Sequence, residues 1–237
     1  MAGAGRRLEV IEVKTLYQDN HLWVVNKPAG MPTVPDDSRD PSVFDWVGDA
    51  IREDKQKPGN VFVGVVQRLD RPVGGVLVFA RTSKAAARLN RQFHSHEIGR
   101  RYVAVTEGIP EAEGRIEHSL LKEGRRNVVR VVPEGTPRSK AARTQYRVLA
   151  TWNEHALVEL VPDTGRSHQL RVAMASLGTP LVGDLKYGAS DRLPDRSVAL
   201  FAEHLELMHP TRKERVRFEA RPPRVHAWRA FDDVLGT

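Results

Sequence analysis

Val65-Val66-Gln67-Arg68-Leu69-Asp70-Arg71-Pro72-Val73-Gly74-Gly75-Val76-Leu77-Val78-Phe79-Ala80 runs from apolar to charged, then through glycine to apolar again. The apolar runs Val61 to Val66 and Val76 to Ala80 have the length and β-branched content of buried strands. Between them one carboxylate, Asp70, stands between Arg68 and Arg71. Pro72 has a fixed φ and no N–H, and Gly74-Gly75 is free to take positive φ, so the chain turns tightly there. On the residues alone, the stretch is either a turn carrying a structural ion pair or an acid presented at the rim of a hydrophobic sheet.

The 237 residues allow one large domain or two small ones. No apolar run approaches the roughly 20 residues of a membrane span. Met1 to Arg7 is small and basic with no apolar segment behind it, which predicts a flexible basic tail over residues 1–15 rather than a secretory signal. The absence of cysteine rules out disulfides, thiolate catalysis and cysteine-ligated zinc, and fits a cytoplasmic protein. A formal charge of +7 suits a polyanionic partner, and equally suits a general basic bias.

Further along, Leu22 to Val25 reads as a buried strand that ends in Asn26-Lys27-Pro28-Ala29-Gly30. Ser42 opens a helix with Asp45 as its capping-box partner, Val43, Val47, Ala50 and Ile51 as its inner face, and Lys57-Pro58-Gly59 as its end. Ser83 caps a second helix with Ala86, Leu89 and Phe93 inside, stopped by Gly99. Arg100 to Gly108 is a strand whose alternation places Tyr102, Ala104 and Thr106 on one face. Residues 108–147 gather nine cations with recurrent glycine and proline, which predicts the least globular part of the chain: a basic, RNA-facing flap with Val128 to Val132 as one hairpin arm. Thr144 to Ala150 and Ala156 to Val161 form an antiparallel pair. Gly165 and Gly178 bracket a helix with Leu170, Ala173, Met174 and Leu177 buried, and Arg171 about 100° away at the edge of that stripe. Leu207 to Phe218 closes the chain as a hairpin. His204 and His209 are five apart, without metal-ligand spacing, so no metal site is expected.

Several of these stretches resemble, in order, the blocks of the RluA-type pseudouridine synthases. Arg68-Leu69-Asp70 with Gly75 is similar to the family's His-Arg-Leu-Asp-x-x-Thr-Ser-Gly-Leu, with Gln67 for His and Val73-Gly74 for Thr-Ser. Lys27-Pro28-x-Gly30, Arg101-Tyr102-Val103-Ala104, Lys140-Ala141-Ala142-Arg143-Thr144, Gly165-Arg166-Ser167-His168-Gln169-Leu170-Arg171, Pro180 to Gly188 and Leu200 to Pro210 match the other blocks. The resemblance covers roughly residues 16 to 225. It leaves no room for the small RNA-binding domain the family often carries in front. It implies an α+β fold over residues 16–237, with a central mixed, mainly antiparallel sheet, flanking helices on one side and a catalytic cleft on the other.

The resemblance also implies the chemistry. Asp70 stands at the catalytic aspartate, Arg171 at the arginine that pairs with it, and Tyr102 at the tyrosine that packs on the target base. Breaking the bond from uracil to ribose and rejoining ribose to carbon 5 needs one ionised carboxylate, where a glycoside hydrolase needs two. The other carboxylates nearby, Asp163 and Asp184, show no pattern that asks for a role. A bidentate Arg171 fork is expected to hold Asp70 charged. The uridine must leave its helix to be reached, and Arg68 is a candidate to fill the space. Lys27, Arg71, Lys140, Arg166, His168 and Gln169 are candidates to contact RNA, and Leu205 to wall the pocket. No cofactor and no metal are implied. The partner is structured RNA, ribosomal or transfer, and the chain is expected to be a monomer without an obligate protein partner. Two rivals stand beside this reading: a catalytically silent RNA-binding protein on the same fold, and an enzyme of small nucleosides, for which a basic flap would be superfluous.

Overall fold

The computed structural model describes residues 12–56, 59–124 and 127–236. Residues 1–11 of the expected tail, Lys57 and Pro58 of the expected helix stop, and Arg125 and Arg126 of the basic segment lie outside them. The described residues contain one sheet of 11 strands: β1 (Lys14–Gln18), β2 (Leu22–Lys27), β3 (Gly64–Val65), β4 (Gly74–Ala80), β5 (Gly99–Glu107), β6 (Glu113–Glu123), β7 (Val128–Val132), β8 (Lys140–Trp152), β9 (His155–Pro162), β10 (Leu200–Met208) and β11 (Arg215–Glu219). The main order is β1-β2-β4-β10-β5-β9-β8-β6-β7, and only β4 with β10 is parallel among the strand pairs. The sheet is therefore mixed and mainly antiparallel, as expected.

Helices α1 (Val43–Lys55), α2 (Ser83–His94), α3 (Gln169–Ser176) and the short α4 (Asp232–Leu235) flank it. They lie on both faces rather than one. Period-2 alternation explains this: both faces of β2 and β4 are apolar, and each needs cover. Leu22, Val24, Val76 and Val78 pack with Ala85 and Leu89 of α2 and with Trp228 and Phe231, while Trp23, Val25, Leu77 and Phe79 pack with Val43, Val47 and Ile51 of α1. Tyr102 and Ala104 face the side of α1 and α3, and Val103 and Val105 face that of α2.

Local signals hold with small shifts. The Ser42–Asp45 capping box is formed in both directions. Thr82, not Ser83, caps α2, through a 3.2 Å bond from the Ala85 amide, and the most buried line runs through Ala85, Leu89 and Gln92. Gly99 begins β5 instead of stopping α2. The strand expected over Val61 to Val66 shrinks to the two residues of β3, which pair with Ala80 and Phe79 at the far end of β4 from the Gly74 and Gly75 pairing with β10. β1 begins at Lys14 and Val13 is buried, inside the segment read as tail. Leu177 caps α3 and is exposed rather than buried. The basic segment is not loosely organised: β6, β7 and the start of β8 extend the sheet, with Ile116 and Leu120 turned inward between exposed charges. Among the described residues no helix is long and apolar enough to cross a membrane.

Gly75 locks the turn to the sheet. It takes φ +121°, and a Cβ there would meet the Ala202 backbone at 2.3–2.7 Å. Gly75→Ala is expected to lower stability by at least about 2 kcal/mol, because both conformation and space forbid the methyl. Urea denaturation measures it; a change within about 0.5 kcal/mol would contradict the close approach.

Candidate active site

Asp70 lies in a turn closed by the Val73 amide donating to the Asp70 carbonyl at 3.0 Å. The turn is laced to the loop after β2. The Gly30 amide donates to the Arg71 carbonyl (2.8 Å), Arg71 Nε to the Gly30 carbonyl (2.9 Å) and Thr33 Oγ1 to the Leu69 carbonyl (2.8 Å). Beneath it Lys27 is wholly buried, its Nζ donating to the carbonyls of Val73 (2.7 Å), Pro28 (2.9 Å) and Arg71 (3.2 Å). Desolvation lowers the Lys27 pKa to about 7, against a smaller upward pull from Asp70. Lys27 thus holds the turn from inside and is out of reach of a phosphate.

Arg171 reaches Asp70 from α3. It is 5% exposed, not at the border of a stripe, and its fork closes on a different acid. Nε donates to Asp184 Oδ2 (2.7 Å) and Nη2 to Asp184 Oδ1 (2.6 Å), while Nη1 donates to Asp70 Oδ2 (3.1 Å). The bidentate partner is thus Asp184, itself 1% exposed, and Asp70 receives a single N–H. Burial lowers the Arg171 pKa, but the two carboxylates outweigh it and the net shift is upward, so the guanidinium stays charged. Asp184 is the residue that pattern reading passed over. Its signal was available: an acid and a tyrosine, three apart, bracketed by Gly183 and Gly188.

Tyr102 packs partly buried between the clusters of Val73, Leu170 and Met174 and of Leu69 and Ala202. Burial raises its phenol pKa, Arg100 and Gln67 pull it down, and the nearby Asp70 carboxylate adds to the rise. The buried Gln67 amide oxygen has no partner among the described residues. His168 is 7% exposed, with Nε2 3.8 Å from Asp70 Oδ2 and Nδ1 2.6 Å from the Tyr187 hydroxyl. Desolvation lowers its pKa, so the ring is neutral near pH 7. Asp70, Arg171, Tyr102 and His168 therefore share one site.

The other candidate residues scatter. Arg68 is exposed beside Asp70 and forms no ion pair among the described residues, and Lys140 is likewise exposed. Arg71 faces Asp36 and Asp40. Arg166 is exposed and donates to the Ala141 carbonyl (2.9 Å). Gln169 is buried and its amide is fully engaged: Oε1 accepts from Thr164 and Arg166, and Nε2 donates to Arg143 and Thr144. It braces α3 against β8 and presents nothing to RNA. Leu205 is 1% exposed in the cluster with Leu89 and Phe201, on the face of β10 opposite Ala202, the partner of Tyr102. It lines the core, not the pocket. Among the described residues no group of three or more metal-ligating side chains forms.

This carboxylate, clamped by a buried arginine at the rim of a mixed sheet, is the pairing that the resemblance to one class of RNA-modifying enzyme implies. The chain belongs to the RNA pseudouridylate synthase family, whose model matches residues 21–176, and it is an isomerase of the RluA type. It is 35% identical over 224 residues to the "Ribosomal large subunit pseudouridine synthase D" of Zymomonas mobilis, covering 90% of this chain and 70% of that protein. It is 35% identical to the "Dual-specificity RNA pseudouridine synthase RluA" of Haemophilus influenzae, covering 87% of this chain and 91% of that one. Among solved structures, human RNA pseudouridylate synthase domain containing 4 superposes with a TM-score of 0.76 at 25% identity, covering 92% of each chain.

Lys27 supplies a pH test. Its pKa falls from 10.5 in the open chain to about 7 when folded, so between those values the unfolded chain binds a proton that the folded one lacks. Stability attributable to Lys27 then rises with pH across that window and is level below it. Relative to Lys27→Met, the wild type is expected to gain stability between about pH 6 and about pH 9 in urea titrations. A constant difference would count against the buried ammonium.

Proposed function

We propose that the protein isomerises a uridine in structured RNA, with Asp70 acting on the ribose of a flipped-out nucleotide. The observation that carries this is the Arg171 contact: Nη1 occupies Asp70 Oδ2 and leaves Oδ1 without a hydrogen bond among the described residues. A carboxylate oxygen is thereby left open toward the sugar carbon while the other is held by the guanidinium. The C1′–N1 bond breaks, the base turns, and C1′ joins carbon 5. The carbon-5 proton leaves and N1 gains one, so the product is an isomer and nothing is oxidised. Tyr102, partly buried beside Asp70, offers a ring on which uracil stacks as it turns. Arg68, exposed and without an ion pair among the described residues, fills the vacated stack or holds a phosphate, and Lys140 and Arg166 are phosphate contacts.

Large-subunit ribosomal RNA and transfer RNA are the first substrates to assay; several relatives at 31–35% identity carry the name of large-subunit synthases. The protein works as a cytoplasmic monomer in this reading. The retained Asp70–Arg171 contact argues against a silent RNA binder.

Asp70→Asn is expected to lower conversion at least about 1,000-fold while RNA binding persists. Tritium release from 5-labelled uridine in RNA reads the first and filter binding the second; appreciable turnover by the variant would overturn the assignment. Arg171→Lys is expected to fold but lose most activity, because one ammonium cannot fork Asp184 and also reach Asp70. Near-normal turnover would remove Arg171 from the site.

A further inference from the structure

The β6–β7 hairpin touches the site through one hydroxyl. The Val129 amide donates to Tyr187 Oη at 2.9 Å, and that oxygen lies 2.6 Å from His168 Nδ1. A backbone N–H can only donate, so Tyr187 Oη is an acceptor there. Among the described residues the one acceptor within hydrogen-bond distance of its own proton is His168 Nδ1, so a hydroxyl that pairs within the protein donates there. Nδ1 is then unprotonated, and the neutral ring carries its hydrogen on Nε2. That nitrogen faces Asp70 Oδ2 at 3.8 Å, the oxygen already held by Arg171. His168 is kept in this pose by a left-handed backbone, φ 53°, at the entrance to α3.

The hairpin is seated on this point by more than one bond. Val129 and Leu120 form a buried cluster with Ala142 and Val172, against which Tyr187 packs. Lys186 Nζ donates to the Asn127 carbonyl at 3.1 Å at the hairpin's turn, and His118 Nε2 meets Ser176 Oγ at 2.8 Å. The Tyr187 ring also lies 5.1 Å below the Arg171 guanidinium.

We propose that Tyr187 is a positioning residue through which the docked β6–β7 hairpin locks His168 as an Nε2–H donor toward Asp70, so that the carboxylate is poised only when the hairpin is seated. At 3.8 Å the Nε2–H lies beyond hydrogen-bond reach of Oδ2 and acts on it through its dipole, and Oδ1 stays free for the sugar. The inference rests on Asp70 being the reacting group.

The test is Tyr187→Phe, which keeps the ring over Arg171 and deletes only the hydroxyl. Long-range proton–nitrogen NMR on the wild type should show His168 Nδ1 as an unprotonated ring nitrogen and Nε2 as protonated; the variant should show mixed tautomers. In the RNA assay kcat should fall about tenfold, the worth of one lost positioning hydrogen bond, with KM and RNA affinity unchanged. A protonated Nδ1 in the wild type overturns the lock, and needs no variant. Wild-type kcat in a variant with mixed tautomers overturns its role in catalysis. An inactive wild type with the tautomer in place supports the lock and overturns the functional reading instead.

Discussion

A guanidinium with 5% exposure is tolerable only if every direction it points is answered, and the site depends on how Arg171 meets that demand. Removing one partner of such a buried pair costs about 3–5 kcal/mol, because the remaining charge is stranded. Asp184 takes the planar fork, which fixes the rotation of the guanidinium about its stem. Nη1, which the fork leaves unengaged, is then presented to the Asp70 turn and donates to Oδ2. Asp184 is in this sense the foundation and Asp70 the working end: the first is 1% exposed, while the Asp70 side chain is 28% exposed.

A second buried cation works on the same turn from below. Lys27 gathers three carbonyls that point inward where the chain leaves β-structure, a place where backbone acceptors would otherwise go without partners. Because the ammonium is desolvated, it favours its neutral form, which places its titration near pH 7. Gly75 adds the steric half of the constraint by letting the turn lie against β10. The carboxylate is therefore positioned by contacts from distant parts of the chain: Lys27 below the turn, Arg171 and Asp184 beside it, and β10 against Gly75.

The basic segment shows how structure redistributes charge that composition only counts. Arg115, Arg130, Arg143 and Arg147 lie within ion-pair distance of Glu117, Glu123, Asp163 and Glu159. Their exposed pairs add little to stability, yet they cancel part of the field a polyanion would feel. Attraction falls more to Arg68, Lys122, Arg138 and Lys140, which have no acid partner among the described residues.

Period-2 alternation and cap chemistry are local, so they were readable before any fold was known: the inward face of Tyr102, the Ser42–Asp45 box, and the acid in a glycine-closed turn. The resemblance of ordered blocks located Asp70 and Arg171 far apart in the chain and joined them. The same period-2 logic could have removed Leu205 from the pocket, since it shares a face of β10 with Phe201 and Leu207. What no local rule reaches is the choice among partners of opposite charge. Arg171 had Asp70, Asp163 and Asp184 available in the sequence, and only packing decided that Asp184 lies under its fork, because that choice depends on where α3 and residues 183–188 meet in space. For the same reason Lys27 read as a candidate RNA contact: its burial is a property of the strands around it, and a residue's own neighbours in sequence carry no record of that.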